Sequence, residues 1–184
     1  DKETGVTIIK MDEQIDHGPI INSKSKRITD KLTAADLMVE LAELGAKLLI
    51  ETLPRWIGGK ITPQEQIHEN ATYTRIITKK DGRIDWRKSA DEIERQIRAF
   101  TPWPGSFFFW NTKKIQIISG AVLKDTAPKE LLPGRTFLFG NAKLAVQTGK
   151  GIFFIEELQL EGKTKITIKE FLNGYSKIIG ATLS

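Results

Sequence analysis

The sequence contains no cysteine, only two histidines and no long run of apolar residues. Without cysteine it can form neither disulfides nor thiolate zinc sites, and it has no cysteine nucleophile. A membrane-spanning helix needs about 20 consecutive apolar residues, and the sequence offers none. Glycine-rich phosphate loops, dinucleotide-binding turns and serine nucleophile elbows are also absent. We therefore expect no metal site and no passage through a membrane.

What is present fits a globular chain of 184 residues, with 40% hydrophobic and 28% charged side chains. This length allows one domain or two small ones, with about 70% of the unfolded surface buried. Residues 1–60 carry nine basic and ten acidic side chains, whereas residues 61–184 carry nineteen and thirteen. The basic second part weakly favours phosphate-rich ligands, although an ordinary solvated surface explains the charge equally well.

The first part of the chain has the pattern of an α/β unit. Val6–Met11 is short, apolar and rich in β-branched residues, which predicts a buried strand. An acidic loop over 12–19 follows, and then the chain becomes extended again. Thr33 and Asp36 have capping-box spacing, and apolar residues after them recur at helical spacing. The glycines at 58–59 predict the end of this helix.

Short apolar runs separated by turn residues dominate the second part and predict a small antiparallel barrel, similar to oligonucleotide-binding (OB) barrels. Capping boxes that begin at Ser89 and Thr167 predict two helices beside it. The Asp-Gly pair at 81–82 predicts a small hairpin. The predicted strands are Ser106–Trp110, Lys114–Ser119, Ala121–Lys124, Arg135–Phe139, Lys143–Thr148 and Gly151–Leu160.

Asp16 is the first candidate for chemistry, because it follows the predicted first strand and precedes a Gly-Pro turn. Ligands bind beyond the carboxyl ends of strands in open α/β sheets, and a carboxylate there can orient a histidine or a water for proton transfer. Alternatively, Asp16 only caps the turn through backbone amides. Adjacent side chains on an extended chain point apart, so we do not expect His17 to pair with Asp16. We expect His68 to be a surface residue.

Basic and aromatic residues are interleaved over 95–114, a composition that nucleic-acid-binding barrels use. Alternate residues of a strand face inward, so we expect at least half of the rings in this stretch to be buried. Six further cations on predicted turns or strand ends are freer to meet phosphates. These are Lys79, Lys80, Arg83, Lys150, Lys163 and Lys165.

Several segments, in order and over nearly the whole chain, resemble the methionyl-tRNA formyltransferase family. Two are specific to that family and its near relatives, namely I-D-W at 84–86 and F-T-P-W-P-G at 100–105. The D-H-G-P turn at 16–19 is shared by folate-dependent formyltransferases more widely. The remaining similar segments lie at 4–11, 41–53, 72–83 and 171–174.

The resemblance implies a reaction and a domain organisation. A formyl group moves from 10-formyltetrahydrofolate to the α-amino group of initiator methionyl-tRNA. Residues 1–60 correspond to the C-terminal part of a Rossmann-like catalytic domain, residues 61–84 to a linker and residues 85–184 to an OB-like tRNA-binding domain. The expected fold class is therefore α/β followed by a β-barrel.

The resemblance also implies site residues. Asp16 matches the catalytic aspartate of the family, and Asp12, Ile15 and Gly18 fall with it in the folate-binding loop. The basic linker and barrel residues correspond to the side that holds tRNA. The expected tRNA-binding residues are Arg75, Lys79, Lys80, Arg83, Lys113, Lys114, Lys150, Lys163 and Lys165.

The family's Asn-x-His motif, which flanks the formyl group, does not occur before Asp16. We therefore expect a piece that lacks the N-terminal half of the catalytic domain, exposes an apolar patch in residues 1–60 and is inactive alone. We expect a monomer in the bacterial cytoplasm or an organellar matrix. Two alternatives stay open: another folate-dependent formyltransferase, of the amino-sugar type, and a non-catalytic tRNA-binding module.

Overall fold

The computed structural model describes residues 1–30, 32–123, 131–140 and 143–184. The chain divides into two compact units, Asp1–Ile76 and Ile77–Ser184. The boundary therefore falls inside the stretch 61–84, and each unit is described by itself.

The first unit is built on an antiparallel hairpin. Strand β1 (Glu3–Ile9) pairs with β2 (Ile20–Arg27), with Glu3 opposite Arg27 and Ile8 opposite Asn22. A strand at this position is confirmed, although it begins and ends earlier than the apolar run suggested. The expectation that it is buried is wrong, because the residues of β1 are exposed or half-buried. The acidic loop joins two antiparallel strands, so it lies at one end of this hairpin.

Helix α1 (Ala34–Ile57) packs against both strands of the hairpin. The predicted capping box is confirmed: the Thr33 hydroxyl accepts a hydrogen bond from the Asp36 N–H, and the Asp36 carboxylate accepts one from the Thr33 N–H. The helix ends at Gly58 as predicted. Leu48 and Thr52 are buried on the side that faces the hairpin, where Asn22 Nδ2 donates to Thr52 Oγ1 at 2.8 Å.

A second side of α1 is apolar and exposed. Helical spacing of 100° per residue places these side chains within one arc of about 120°, which Glu43 borders next to Ile50. The exposed apolar patch expected in residues 1–60 is therefore confirmed. We call this surface the apolar stripe, and it consists of Met38, Val39, Leu49, Ile50, Leu53 and Ile57.

The described residues of the second unit form six strands and two helices. These are α2 (Ala90–Ala99), β3 (Ser106–Trp110), β4 (Lys113–Leu123), β5 (Thr136–Phe139), β6 (Lys143–Gln147), β7 (Ile152–Leu160), β8 (Lys165–Thr167) and α3 (Ile168–Tyr175). The strands form one sheet in the order β3-β4-β7-β6-β5, and β8 pairs with β7. Helix α2 packs on β4 and β7, and helix α3 packs on β6, β7 and β8.

The predicted strands and both capping boxes of this unit are confirmed, with two differences. β4 is one strand with an irregularity around Ser119, where two strands were predicted. Lys124, the predicted end of the second of them, lies outside the described residues. The short strand β8 was not predicted, because three residues show too little alternation to be recognised.

Residues 181–184 lie between β3 and β5, the two strands at the ends of the sheet order. Ser184 exchanges both backbone hydrogen bonds with Phe109 of β3, at 2.6 and 3.0 Å. Leu183 N–H donates to Gly134 O at 2.9 Å, and Thr136 N–H at the start of β5 donates to Ala181 O at 2.9 Å. The residues at 181–184 thus join β3 to the segment that carries β5.

The core of the second unit lies between the inner face of the sheet and the helices. Phe108 and Trp110 of β3 are buried there, beside Phe153 of β7, Ile93 of α2 and Phe171 of α3. Half of the rings in the stretch 95–114 are buried, which confirms the expectation from strand alternation. The buried rings are Phe107, Phe108 and Trp110, whereas Phe100 and Phe109 are half-buried and Trp103 is exposed.

The hairpin predicted at 81–82 is wrong. Lys79–Gly82 is a 3₁₀ turn, in which the Asp81 carboxylate accepts hydrogen bonds from the Thr78 N–H and hydroxyl. Gly82 is buried so close to Gly105 that an added Cβ would lie 2.0 Å from the Gly105 carbonyl oxygen. This side-chain cap and this backbone contact fix a turn, where the Asp-Gly pair alone suggested strand pairing.

Candidate functional site

The acidic loop between β1 and β2 is closed by its own backbone. Lys10 N–H donates to Pro19 O at 2.9 Å, and Gly18 is buried against this closure. A Cβ on Gly18 would lie 1.8 Å from Lys10 O, so only glycine fits there. Asp16 adopts φ of +53°, a conformation that few residues other than glycine, asparagine and aspartate tolerate. The loop therefore holds Asp16 in a defined and uncommon backbone geometry.

A segment that follows α1 fastens this loop. Gln66 Nε2 donates to the carbonyl oxygens of Asp16 and Gly18, at 2.9 and 2.7 Å. Ile20 and Gln64 exchange two backbone hydrogen bonds of 2.7 and 2.8 Å beside it. Sequence analysis missed Gln66. The alternation of Gln64 and Gln66 on an extended segment was the only available signal, and it does not identify a partner.

The two histidines lie against each other on the loop. His17 Nδ1 is 2.7 Å from Asp12 Oδ2, and the His17 ring stacks on His68 with 3.7 Å between centroids and 5° between planes. Hydrogen bonds from His17 and from the Gln14 N–H lower the pKa of Asp12 below its usual value. His17 thus pairs with Asp12 instead of Asp16. His68 is exposed as predicted, although its contact with His17 was not foreseen.

The four loop residues predicted to bind the formyl donor have different surroundings. Within the described part of the chain, the exposed Asp16 carboxylate has no hydrogen-bond or ion-pair partner. The Ile15 side chain is 93% exposed, so it offers apolar surface to a ligand. Asp12 is engaged by His17, and Gly18 is buried and shapes the turn. These four residues can therefore present one carboxylate and one apolar side chain to a bound molecule.

The predicted tRNA-binding cations fall into separate groups. Lys113, Lys114 and Lys163 line one surface cavity of about 300 Å³. Lys79 and Lys80 are exposed on the 3₁₀ turn. The other predicted cations are Arg83, Lys150 and Lys165 in the second unit and Arg75 in the first, all exposed.

Two cations lie over aromatic rings on the outer face of the β3–β4 pair. Lys114 Nζ is 4.2 Å from the centroid of the Phe107 ring, and Arg83 Cζ is 5.6 Å from that of Phe109. The two rings meet edge to face at 5.7 Å. We call this surface the basic–aromatic face, consisting of Arg83, Phe107, Phe109, Lys114 and Gln116. Phe107 is buried, so this face offers the half-buried ring of Phe109 together with positive charge. Nucleic-acid-binding surfaces combine rings and cations in this way.

Two kinds of feature are absent from the described ranges. No cluster of three or more His, Asp or Glu side chains there is placed to hold a metal ion. Of the helices in those ranges, none combines the length and the apolar character needed to cross a membrane.

Both units of the chain match known protein families. Residues 1–53 match the family described as "Formyl transferase", and residues 76–176 match "Formyl transferase, C-terminal domain". The second match alone spans more than half of the chain, and the two matches follow each other along it. The chain belongs to the formyltransferase family.

Curated methionyl-tRNA formyltransferases are similar over almost the whole chain. The protein from Enterococcus faecalis is 38% identical over 175 residues, which cover 95% of this chain and 55% of that protein. The protein from Rickettsia bellii gives the same identity, 38%, and the same coverage, 95% and 55%. The chain therefore spans about half the length of the curated relatives it matches.

Solved structures share the fold at low sequence identity. HypX from Aquifex aeolicus in complex with tetrahydrofolic acid has a TM-score of 0.69 at 17% identity, over 97% of this chain and 31% of that one. An N-formyltransferase from Helicobacter canadensis, bound to folinic acid and dTDP-3-aminofucose, scores 0.63 at 23%, over 90% and 57%. Methionyl-tRNA formyltransferase from Clostridium thermocellum scores 0.51 at 18%, over 84% and 57%.

Proposed function

We propose that this chain is part of a methionyl-tRNA formyltransferase, which moves a formyl group from 10-formyltetrahydrofolate to the amino group of initiator methionyl-tRNA. Similarity to curated enzymes of that name over 95% of the chain carries the proposal. The excess of basic residues after position 60 supports an acceptor that is an RNA. Such an enzyme acts where translation begins, in the bacterial cytoplasm or an organellar matrix, and we propose that it works as a monomer.

In this proposal Asp16 is the catalytic carboxylate. Its exposure and its lack of a partner among the described side chains leave it able to orient a histidine or a water for proton transfer. Ile15 and the loop backbone contact the formyl donor, whereas Asp12 and Gly18 act on the shape of the loop. When bound, 10-formyltetrahydrofolate supplies the formyl carbon that the amino group attacks.

We further propose that residues 1–60 complete a Rossmann-like catalytic domain, that 61–84 are its linker and that 85–184 form an OB-like barrel. The hydrogen bonds of residues 181–184 to both outer strands support a closed sheet. The apolar stripe supports a missing N-terminal half of the catalytic domain, because a larger α/β domain would cover it. An Asn-x-His motif encoded upstream of Asp1 would support this organisation.

The proposed tRNA-binding side chains are the nine cations described above, with Lys79 and Lys80 as the first to test. Fluorescence anisotropy of labelled initiator tRNA with this chain should show binding that weakens steeply with salt. The double variant Lys79→Glu and Lys80→Glu should bind more weakly and with a shallower salt dependence. The control is Lys169→Glu with Lys177→Glu, which makes the same charge change at two exposed lysines outside the proposed set.

The tRNA-binding measurement and the gene sequence upstream of Asp1 together separate the two alternatives. An amino-sugar formyltransferase shares the fold, as the Helicobacter canadensis structure illustrates, but would show little affinity for tRNA. A non-catalytic tRNA-binding module would bind tRNA yet have no Asn-x-His motif upstream in its gene. We expect no formylation by this chain alone, and measurable formylation would contradict the proposed division of the catalytic site.

A further inference from the structure

Residues 100–105 form a closed loop with Trp103 at its tip. Gly105 N–H donates to Phe100 O at 2.9 Å, and Thr101 Oγ1 donates to Ile97 O of helix α2 at 2.7 Å. Prolines stand on both sides of Trp103, and each proline ring fixes its own φ. The loop therefore presents the Trp103 side chain on a backbone with little freedom.

The Trp103 side chain is the exposed tryptophan of this unit. It is 55% exposed, whereas Trp86 is 4% and Trp110 is 7% exposed. Leaving a large ring in water forgoes the free energy that burial would contribute. Exposed rings on surfaces that also carry cations are the positions on which nucleic-acid bases stack.

The elements next to this loop carry cations. The buried contact of Gly82 with Gly105 joins it to the 3₁₀ turn that carries Lys79 and Lys80. On its other side the loop leads directly into β3 and the basic–aromatic face. A Cβ on Gly105 would lie 2.6 Å from Gln116 Nε2, so the loop also packs on that face.

We propose that Trp103 is a stacking platform for an unpaired base of the RNA that the neighbouring lysines hold by its phosphates. The inference rests on the proposed tRNA-binding function and adds a residue that contacts an unpaired base of the RNA. Every base has a π-face, so stacking on an indole is tolerant of sequence, while lysines supply affinity for the backbone. Because the loop is already ordered, stacking costs little conformational entropy. The cations on the neighbouring elements favour RNA over an apolar protein segment as the occupant. They are Lys79 and Lys80 on the 3₁₀ turn and Arg83 and Lys114 on the basic–aromatic face.

The test compares two RNAs on the full chain. One is a stem-loop with an unpaired 3′ tail, and the other is the same stem-loop with a blunt end. Affinity is measured by fluorescence anisotropy over a range of salt concentrations for the unchanged chain, Trp103→Ala and Trp103→Phe. Phe139→Ala, which removes another exposed ring of the same unit, is the matched control. Urea unfolding verifies that each variant is folded.

We expect Trp103→Ala to bind the tailed RNA at least about fivefold more weakly, without change for the blunt RNA or in the salt dependence. Trp103→Phe should retain most of the affinity. The tailed RNA should quench the tryptophan fluorescence of the unchanged chain. Most of that quenching should be absent in Trp103→Phe.

Three results would contradict the proposal. Equal affinity of Trp103→Ala and the unchanged chain for the tailed RNA would refute stacking while leaving the tRNA-binding proposal intact. An equal loss for both RNAs would assign Trp103 a structural role only. If the unchanged chain bound neither RNA in a salt-dependent manner, the tRNA-binding proposal would fail as well.

Discussion

Gln66 and Asp16 lie 50 positions apart in the sequence, yet Gln66 Nε2 donates a hydrogen bond of 2.9 Å to the backbone carbonyl oxygen of Asp16. The same amide nitrogen also reaches Gly18 O. One side chain thus holds the backbone on both sides of His17. The orientation of the proposed catalytic carboxylate depends on a residue that no pattern near it reveals.

The first prediction concerns this clamp. Gln66→Ala should raise the hydrogen-exchange rates of the Lys10 and Ile20 amides, because the loop loses two hydrogen bonds that fix its backbone. Gln64→Ala is the matched control, since Gln64 holds Ile20 through its backbone alone. Unchanged exchange in Gln66→Ala, with normal global stability, would show that the loop is fixed without the amide.

The second prediction concerns the contact of Gly82 with Gly105. Gly82→Ala should lower the free energy of unfolding by about 1–3 kcal/mol, because the added Cβ would lie 2.0 Å from a backbone oxygen. Gly174→Ala in helix α3 is the control, since its Cβ would meet nothing within 4 Å. There we expect no loss, or a gain of about 0.5–1 kcal/mol. Urea denaturation measures both, and equal effects would contradict the close approach.

The third prediction concerns acid stability. The guanidinium of Arg87 donates two hydrogen bonds of 2.8 Å to Asp85 and lowers the pKa of that carboxyl from 3.8 to about 2. Because the pKa is lower in the folded chain, the pair stabilises the fold above about pH 4, and this contribution is lost as pH falls towards 2.

Asp85→Asn should therefore be less stable than the unchanged chain at pH 6, and the difference should shrink at pH 3. Urea midpoints at the two pH values provide the measurement. Glu156→Gln is the control, since the exposed Glu156 carboxylate has no ion-pair partner in the described part of the chain. A stability difference that stays constant with pH would argue against the lowered pKa of Asp85.

The fourth prediction concerns the apolar stripe of α1. Ile50→Gln combined with Ile57→Gln should reduce binding of an apolar fluorescent dye, because both side chains are more than 70% exposed. The free energy of unfolding of this double variant should change little. By contrast, Leu48→Ala on the buried side of the helix should cost about 2–5 kcal/mol. A large loss of stability in the double variant would show that the stripe is covered within the chain.

Local signals predicted the local structure well. The capping boxes at Thr33, Ser89 and Thr167 each consist of two side chains three positions apart. Residues close together in the sequence therefore determine their geometry. The alternation in β3 likewise separated the buried Phe108 from the more exposed Phe109.

Such local patterns could not predict contacts between residues that are distant in the sequence. The stacking of His68 on His17 and the clamp of Gln66 depend on the return of the chain after α1, which no local pattern encodes. At 81–82 the local signal itself was misleading, because Asp-Gly favours hairpins while the cap on Thr78 and the contact with Gly105 impose a turn.

The pairing of Phe109 with Ser184 also bears on synthesis of the chain. A ribosome must translate through Ser184 before Phe109 gains this partner. A nascent chain released earlier therefore leaves the Phe109 end of that strand edge open, while Phe107 still accepts the hydrogen bond from Ile84. Open edges are sites of intermolecular β-pairing. Premature termination shortly before Ser184 should therefore yield a product that aggregates more readily than the unchanged chain.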